Sequence, residues 1–222
     1  MPNREVVVVT GAAAGVGRAV AHRFAASGAR VGLLARDGEA LAVVKREVED
    51  RGGEALVLRA DVADPDAVFA AAEMVERTWG PIDVWVNDAM ATVFSPIDEI
   101  TPEEFRRVTE VTYLGCVHGT MAALKSMRPR GKGAIVQVGS ALAYRGIPLQ
   151  TAYCGAKHAI RGFTDGVRAE LIHEKTRITL SIVELPAMNT PQFDWARTHM
   201  DRRPRPMGRV YEPEAAARAV FR

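Results

Sequence analysis

The sequence predicts a single-domain α/β fold, in which a doubly wound parallel sheet is covered by helices on both faces in three αβα layers. Short apolar runs alternate along the chain with amphipathic segments of helical periodicity. The apolar runs are nearly continuous, as is typical of parallel strands buried on both faces. With 222 residues, no internal repeat and no linker tract, the chain is expected to form one domain over residues 1–222.

The first half of the chain supplies four strands and three helices. A β-branched run starts at Glu5, and after Gly11 a helical segment follows that Gly28 ends. Asp37 and Asp64 are of the residue type favoured at helix N-caps, and each precedes an amphipathic helix. The predicted strands are 5–10, 31–35, 55–60 and 82–87, and the predicted helices are 15–27, 37–50 and 65–79.

The second half continues the alternation. Thr101 and Pro102 form a cap-and-proline opening for a helix that reaches about Met127. A strand at 133–139, a long helix at 152–174 and a strand at 177–184 follow, and Pro213 lies in the opening of a last helix. Right-handed crossovers then order the six strands 3-2-1-4-5-6.

Composition excludes several classes of protein. A chain with 48% hydrophobic and 25% charged residues is not disordered, and a net charge of +2 argues against nucleic-acid binding. Cys116 and Cys154 show no CxxC spacing, and His118, His158 and His173 show no metal-ligand spacing. We therefore expect no metal, no disulfide and a cytoplasmic location, since the short valine run near the N-terminus is no signal sequence.

A glycine-rich segment lies between the first strand and the first helix. Ligands of such sheets bind at the carboxyl ends of the strands, beside the switch between strands 1 and 4. Glycines there let the backbone approach a pyrophosphate, and the helix N-terminus supplies free N–H groups and partial positive charge. The segment TGAAAGVG is therefore predicted to bind phosphate, through Thr10, Gly11, Ala13, Gly15, Val16 and Gly17.

Ser140, Tyr153 and Lys157 form a second group of chemically suggestive residues. Tyr153 and Lys157 are four positions apart at the start of a helix and so share one face, and Ser140 follows the fifth strand. A phenol is a poor base at neutral pH, and a lysine ammonium nearby favours its ionised form. Together they predict acid–base catalysis; the alternative is a solvated tyrosine and lysine beside an unrelated serine.

These two groups make the chain similar to the short-chain dehydrogenase/reductase family along essentially its whole length. The matching segments are TGAAAGVG at 10–17, Asp61-Val62, NDAM at 87–90, GS at 139–140 and YCGAK at 153–157. The resemblance implies a Rossmann fold, a nicotinamide dinucleotide cofactor and oxidoreductase chemistry on alcohol or carbonyl groups.

The resemblance also implies roles for individual residues. Tyr153 would be the general acid in carbonyl reduction and the general base in alcohol oxidation. Ser140 would bind the substrate oxygen, and Lys157 the nicotinamide ribose. The other implied cofactor residues are Asp61 and Val62 at the adenine, Asn87 and Ala89 after the fourth strand, and Pro186 and Thr190 after the sixth.

Three positions depart from the family pattern. NDAM stands where Asn-Asn-Ala-Gly is usual, so Met90 is either a buried hydrophobe, which we favour, or a substrate contact. Ala187 replaces the glycine common after Pro186. Thr112 stands where an asparagine usually holds a water of the proton relay. Either the proton relay uses Thr112 with a different arrangement of water, or turnover is weakened.

Cofactor choice depends on the end of the second strand. NAD-preferring folds place an acidic residue about 20 positions after the glycine loop, where it accepts the ribose 2′-hydroxyl. Ala35 stands there, and the planar, permanently charged guanidinium of Arg36 is suited to a 2′-phosphate. Asp37 argues for NAD(H), because its carboxylate could accept the ribose 2′-hydroxyl. Aspartate is, however, a favoured N-cap residue, and that role suits Asp37 better. We favour NADP(H) and leave NAD(H) open.

A substrate-covering lid is predicted at about 187–211. Met188, Phe193 and Trp195 follow the sixth strand, where the family places such helices, and ordinary core packing is the alternative. The apolar lid, and the lack of a cationic cluster in the pocket segments, favour a neutral and fairly hydrophobic substrate. The arginine-rich stretch 201–209 is expected to be an exposed loop.

Assembly and the end of the chain follow from the resemblance. Apolar residues beyond one stripe on the 101–127 and 152–174 helices favour a homodimer or homotetramer; alternatively these helices only cover their own sheet. Family members normally add a seventh strand, so we expect this sheet to lack the last edge strand and the chain to be truncated. A membrane-associated segment after Arg222 stays open.

The sequence therefore predicts an NADP(H)-dependent oxidoreductase that moves a hydride between the nicotinamide C4 and a carbonyl or secondary alcohol carbon. The alternative is a non-catalytic dinucleotide-binding protein, a sensor or structural partner, on the same fold.

Overall fold

The computed structural model describes residues 4–206 and 208–221, so Met207 of the predicted lid and Arg222 lie outside the described residues. The strands are β1 (Val6–Thr10), β2 (Arg30–Ala35), β3 (Glu54–Arg59), β4 (Val84–Asn87), β5 (Val93–Phe94), β6 (Lys132–Ser140), β7 (Arg177–Leu185) and β8 (Arg197–Thr198). The helices are α1 (Gly15–Ala25), α2 (Gly38–Asp50), α3 (Pro65–Trp79), α4 (Pro102–Val108), α5 (Gly115–Met127), α6 (Thr151–His173), α7 (Gln192–Trp195) and α8 (Pro213–Val220).

Six strands form one parallel sheet in the order β3-β2-β1-β4-β6-β7, which confirms the predicted doubly wound topology. The two short strands β5 and β8, which the sequence did not predict, pair in parallel with each other outside this sheet. All five β1 residues are buried, because helices cover both faces of the sheet.

Local capping chemistry explains where several helices begin. The carboxylates of Asp37 and Asp64 each accept two backbone N–H groups from the first turn of α2 and α3, as predicted from their residue type. Thr101 and Glu104 form a reciprocal capping box at the start of α4. These starts need no tertiary contact, which is why the sequence alone located them.

The predicted helix that opens at Thr101-Pro102 and reaches Met127 is present, but it is not α-helical throughout. A π-helical stretch, Thr109–Leu114, separates α4 from α5. Within it the Thr112 hydroxyl accepts the Ala91 N–H and donates to the Ala91 carbonyl, both at 2.9 Å. The wider turn brings this buried side chain to the loop after β4, and such π-stretches are frequent at functional sites.

Hydrophobic cores lie on the two faces of the sheet. One packs α1, α2 and α8 against the sheet, and the other packs α3, α5 and α6 against it. Between them, Asn87 accepts a hydrogen bond from Trp85 Nε1 at 2.8 Å and donates to Gln137 Oε1 at 2.9 Å. A buried amide with both ends bonded fixes the centre of the sheet next to the end of β4.

Among the helices of residues 4–206 and 208–221, none combines the length and the apolar character that a bilayer crossing requires.

Candidate active site

A cleft of about 1340 Å³ opens at the carboxyl ends of the parallel strands. Both predicted groups contribute to it, because each follows a strand of the same sheet. The predicted site residues that line it are Gly11, Ala13, Gly15, Val16, Arg36, Asp61, Val62, Ala89, Ser140, Tyr153, Lys157, Pro186 and Thr190. The predicted residues Thr10, Gly17 and Asn87 lie behind this lining.

The glycine-rich loop is built by close backbone approaches. Gly11 has φ +71°, and a Cβ added there would lie 2.9 Å from the Ala89 amide nitrogen. A Cβ at Gly17 would collide with the Gly11 carbonyl oxygen. Only glycine therefore allows the turn and lets α1 begin directly against β1. The residues at the start of α1, Gly15 and Val16, then line the cleft beside Ala13, at the helix end where an anion is favoured.

Thr10 and Asn87 lie behind the cleft and hold its wall. The Thr10 hydroxyl accepts the N–H groups of Asp88 at 3.0 Å and of Ala89 at 3.1 Å, tying the end of β1 to the loop after β4. Asn87 is 5% exposed, and its amide group is taken up by neighbouring side chains. Both residues therefore hold in place the segments that line the cleft.

Ser140, Tyr153 and Lys157 meet where β6 ends and α6 begins. Lys157 is 4% exposed, its Nζ donates to the Val138 carbonyl at 2.7 Å, and it lies 5.5 Å from the centre of the Tyr153 ring. The Ser140 hydroxyl oxygen accepts the Leu142 N–H at 3.2 Å. Its hydrogen is left to donate, and Lys157 retains two of its three donors for a ligand.

Thr112 is committed to the loop after β4. Its side chain is 1% exposed, and its hydroxyl is both donor and acceptor toward Ala91. The hydroxyl hydrogen of Thr112 is thus donated to the Ala91 carbonyl, which leaves the side chain no donor for a water.

Two carboxylates lie at the end of the cleft beside β2 and β3, one as a helix cap and the other in an ion pair. Asp37 caps α2 through one carboxylate oxygen, while the exposed Arg36 beside it lines the cleft. Asp61 pairs with Arg107 of α4 at 2.5 Å. Burial opposes ionisation of Asp61, but the Ala63 amide and the Arg107 guanidinium outweigh it and hold its pKa below the usual value. Arg107 was not predicted, since only the fold brings it to Asp61.

The opposite end is apolar and partly covered. Phe193 of α7 contacts Phe94 of β5, with ring centres 5.9 Å apart, and Trp195 also lines the cleft. Met90 is half-buried and lines the cleft, because the chain crosses the cleft as it leaves β4. The favoured expectation was a fully buried side chain. Met188 is 7% exposed and also contributes to a core cluster.

Arg205 and Arg209 also line the cleft, which the sequence did not predict. The expectation that the pocket segments lack a cationic cluster therefore does not hold, because these two arginines line the cleft. Both come from the arginine-rich segment after β8, and no apolar periodicity predicts where they lie relative to the sheet.

Glu184 is a buried carboxylate behind Ser140. It is the register partner of Gly139 across β6 and β7, and a Cβ at Gly139 would collide with its Oε2 atom. Both carboxylate oxygens are buried, and within the described residues neither has a hydrogen bond of good geometry. Burial raises the pKa of Glu184, against the lowering effects of the Ser140 amide and the Lys157 charge.

Asp88 is the carboxylate of the cleft lining that the sequence analysis did not single out. Its only signal was the replacement of the second asparagine of the usual motif. Its Oδ2 atom would lie 2.9 Å from a Cβ at Gly17, so the carboxyl packs against the start of α1. Burial raises its pKa to about 7, although the Lys157 charge and the Gly17 amide oppose this.

Within residues 4–206 and 208–221, no three His, Cys, Asp or Glu side chains gather in an arrangement suited to a metal ion.

Asp88→Asn should change how stability depends on pH. The folded pKa of about 7 exceeds the ordinary 3.8, so the folded protein keeps a proton that the unfolded chain releases between these values. The free energy of unfolding of the wild type should therefore fall, relative to Asp88→Asn, as pH rises from 4 to 7. The total is at most about 4 kcal/mol, at about 1.4 kcal/mol per pKa unit.

Urea denaturation without cofactor at pH 5 and pH 8 measures this difference. Asp66→Asn on the exposed side of α3 is the matched control. A difference between wild type and Asp88→Asn that is the same at both pH values would contradict the assignment.

Comparison with known proteins shows the family of the chain. The family model described as short chain dehydrogenase matches residues 5–201. The Bacillus subtilis protein named "Uncharacterized oxidoreductase YxnA" is 35% identical over 221 residues, covering 98% of this chain and 62% of that protein. This chain thus spans less than two thirds of the length of that relative.

Two solved structures are similar over 98% of this chain and 88% of theirs. One is a metagenomic short-chain oxidoreductase in complex with NADP, at 28% identity and a TM-score of 0.82. The other is an alcohol dehydrogenase from the archaeon Thermococcus sibiricus complexed with 5-hydroxy-NADP, at 26% identity and a TM-score of 0.83. The chain belongs to the short-chain dehydrogenase/reductase family.

Proposed function

We propose that this chain is an NADP(H)-dependent oxidoreductase that moves a hydride between the nicotinamide C4 and a carbonyl or secondary alcohol carbon. The observation that carries the proposal is that Ser140, Tyr153 and Lys157 line the same cleft as the glycine-rich loop. A proton donor and a dinucleotide cradle in one cleft supply the two things that carbonyl reduction needs.

The described residues suit a dinucleotide with an additional phosphate. The tight loop at Gly11 and Gly17 leaves backbone N–H groups and the positive end of α1 for the pyrophosphate. At the end of β2, Arg36 is the exposed cation, and the Asp37 carboxylate is engaged as the cap of α2. This charge arrangement favours NADP(H) over NAD(H). When bound, the cofactor supplies or accepts the hydride.

The catalytic side chains have separate tasks. Tyr153 gives its phenolic proton to the carbonyl oxygen during reduction, or takes the alcohol proton during oxidation. Ser140 donates a hydrogen bond to the same oxygen and so orients the substrate. Lys157 keeps one donor on Val138 and offers the others to the ribose hydroxyls, and its charge stabilises the phenolate.

The proton that Tyr153 gives away has to be replaced. Thr112 does not supply it, because its hydroxyl is bonded to Ala91 in both directions. Tyr153 is half-buried and lines the open cleft, so we assign its reprotonation to solvent entering there.

The substrate is proposed to be apolar at its reacting end. Met90, Phe94, Phe193 and Trp195 supply that surface, and aromatic and thioether side chains suit a hydrophobic carbonyl or alcohol. A neutral and fairly hydrophobic substrate stays the prediction for this end of the cleft.

Self-association through α5 and α6 also stays a prediction. Leu114 and Met121 are 37% and 50% exposed, while Val111 is buried in the cleft wall. The exposed pair is apolar surface that a two-fold dimer would cover.

Tyr153→Phe should abolish most turnover while the cofactor still binds. The substitution keeps the ring and removes only the transferable proton, and general acid catalysis typically contributes about 10²–10⁴-fold in rate. NADPH oxidation with a panel of acetophenone, 2-octanone and benzaldehyde, followed by absorbance, measures the loss.

Tyr144→Phe is the matched control, since Tyr144 is 58% exposed and stacks on Arg161. Near-wild-type turnover in Tyr153→Phe, with NADPH bound normally, would rule out the mechanism. A wild type that binds NADPH but reduces none of the panel would favour the non-catalytic dinucleotide-binding alternative.

Arg36→Ala should weaken NADPH binding and leave NADH binding nearly unchanged. Loss of a hydrogen bond to a charged phosphate costs about 1.5–3 kcal/mol, which is roughly ten- to a hundredfold in Kd. Titration calorimetry with both cofactors measures the difference, and Arg46→Ala on the exposed side of α2 is the control. Equal losses for the two cofactors, or a wild-type preference for NADH, would refute this role of Arg36.

A further inference from the structure

The part of the lid that covers the apolar end of the cleft is residues 192–200. It contains α7 and β8, and it carries Phe193 and Trp195. Four residues of α7 make too short a helix to hold its position by itself. The position of the two aromatic side chains over the cleft therefore depends on contacts with the rest of the molecule.

Backbone contacts anchor this segment along β5. Val93 and Phe94 pair with Arg197 and Thr198 in parallel, and the His199 N–H donates to the Phe94 carbonyl at 3.0 Å. Two residues per strand make a short ladder, and such a ladder is marginal without support.

The support is the carboxylate of Glu104 in the first turn of α4. Arg197 NH1 lies 3.1 Å from Glu104 Oε1, and His199 Nε2 lies 3.0 Å from both carboxylate oxygens. A carboxylate only accepts, so the His199 ring nitrogen is the donor. Arg197 and His199 flank Thr198, so one buried carboxylate binds the residues on both sides of Thr198.

Burial and charge fit this arrangement. The Glu104 side chain is 6% exposed, whereas Arg197 is 70% and His199 28% exposed. The lid residues therefore reach inward to a covered carboxylate. The Thr101 amide and the His199 ring, by hydrogen bonding, keep the pKa of Glu104 below its usual value, so it is charged at neutral pH.

Helix capping alone does not account for a glutamate here. Glutamine at this third helical position completes a capping box equally well, because its carbonyl oxygen accepts the Thr101 N–H. The negative charge has its partners on the lid, 93 and 95 residues further along the chain.

We propose that Glu104 is a positioning residue that holds the 192–200 segment over the cleft and so sets the affinity for substrate without touching it. The proposal rests on the proposed function, because substrate affinity is the quantity that the lid controls. Phe193 and Trp195 are the side chains through which Glu104 acts, since both lie on the segment that it anchors and both line the cleft.

Glu104→Gln tests this, because glutamine keeps the cap and the size but loses the charge. The glutamine NH₂ group is a hydrogen-bond donor, and the Arg197 guanidinium has only donors, so these two groups cannot bond to each other. We expect the KM for the best carbonyl of the acetophenone, 2-octanone and benzaldehyde panel to rise about tenfold. The kcat and the Kd for NADPH should stay within about twofold, because neither Tyr153 nor the glycine-rich loop is touched.

Amide hydrogen exchange gives a readout that is independent of activity. The His199 amide, which is bonded to the Phe94 carbonyl, should exchange faster in Glu104→Gln, while the buried β1 amides keep the wild-type rate. Arg197→Gln should raise KM in the same way, and the double variant should be no worse than either single one. Asp194→Asn is the control on the lid, since the Asp194 side chain forms an exposed pair with Arg203 at 3.6 Å and has no other ion pair within the described residues.

An unchanged KM in Glu104→Gln would overturn the proposal, and so would a fall in kcat with no change in KM. Faster exchange throughout the chain would also overturn it, because it would show a general stabilising role. If the wild type reduces none of the panel, the proposed function fails, but the exchange experiment still tests the role of Glu104. A His199 amide that exchanges at the wild-type rate in Glu104→Gln would reject Glu104 as the anchor.

Discussion

Parallel pairing through β1, β4, β6 and β7 is the constraint on which the whole site depends. Because these strands run in one direction, their carboxyl ends meet at one edge, and the segments that follow them face one cleft. The Thr10 hydroxyl holds the ends of β1 and β4 together through the Asp88 and Ala89 amides. Ser140 ends β6, and Tyr153 begins the helix after it, so rigid elements and not long loops carry the chemistry.

Three departures from the family pattern lie in the wall of this cleft or directly behind it. Thr112 holds the loop after β4 through two hydrogen bonds with Ala91. Asp88 places a buried carboxyl against the start of α1, where burial favours its neutral form. Met90 adds an apolar side chain to the lining. All three departures therefore lie in, or are bonded to, the segment that follows β4.

Features with local causes could be predicted from the sequence. The strand order followed from alternating apolar runs, and the caps at Asp37, Asp64 and Thr101 followed from hydrogen bonds within four residues. Contacts between distant segments could not be predicted. The pairing of Asp61 with Arg107 depends on where α4 lies on the finished fold. The π-stretch was missed because apolar periodicity is the same on either side of one widened turn.

The cleft as a site of hydride transfer is the central claim, and isotope transfer tests it most directly. NADPH carrying deuterium at the transferred C4 position would be incubated with the wild type and a ketone or aldehyde, and the alcohol product examined by mass spectrometry. The account predicts one deuterium on the carbinol carbon for every NADPH oxidised. Oxidation of NADPH without deuterium in the alcohol, or tight NADPH binding with no alcohol formed from any carbonyl, would contradict it.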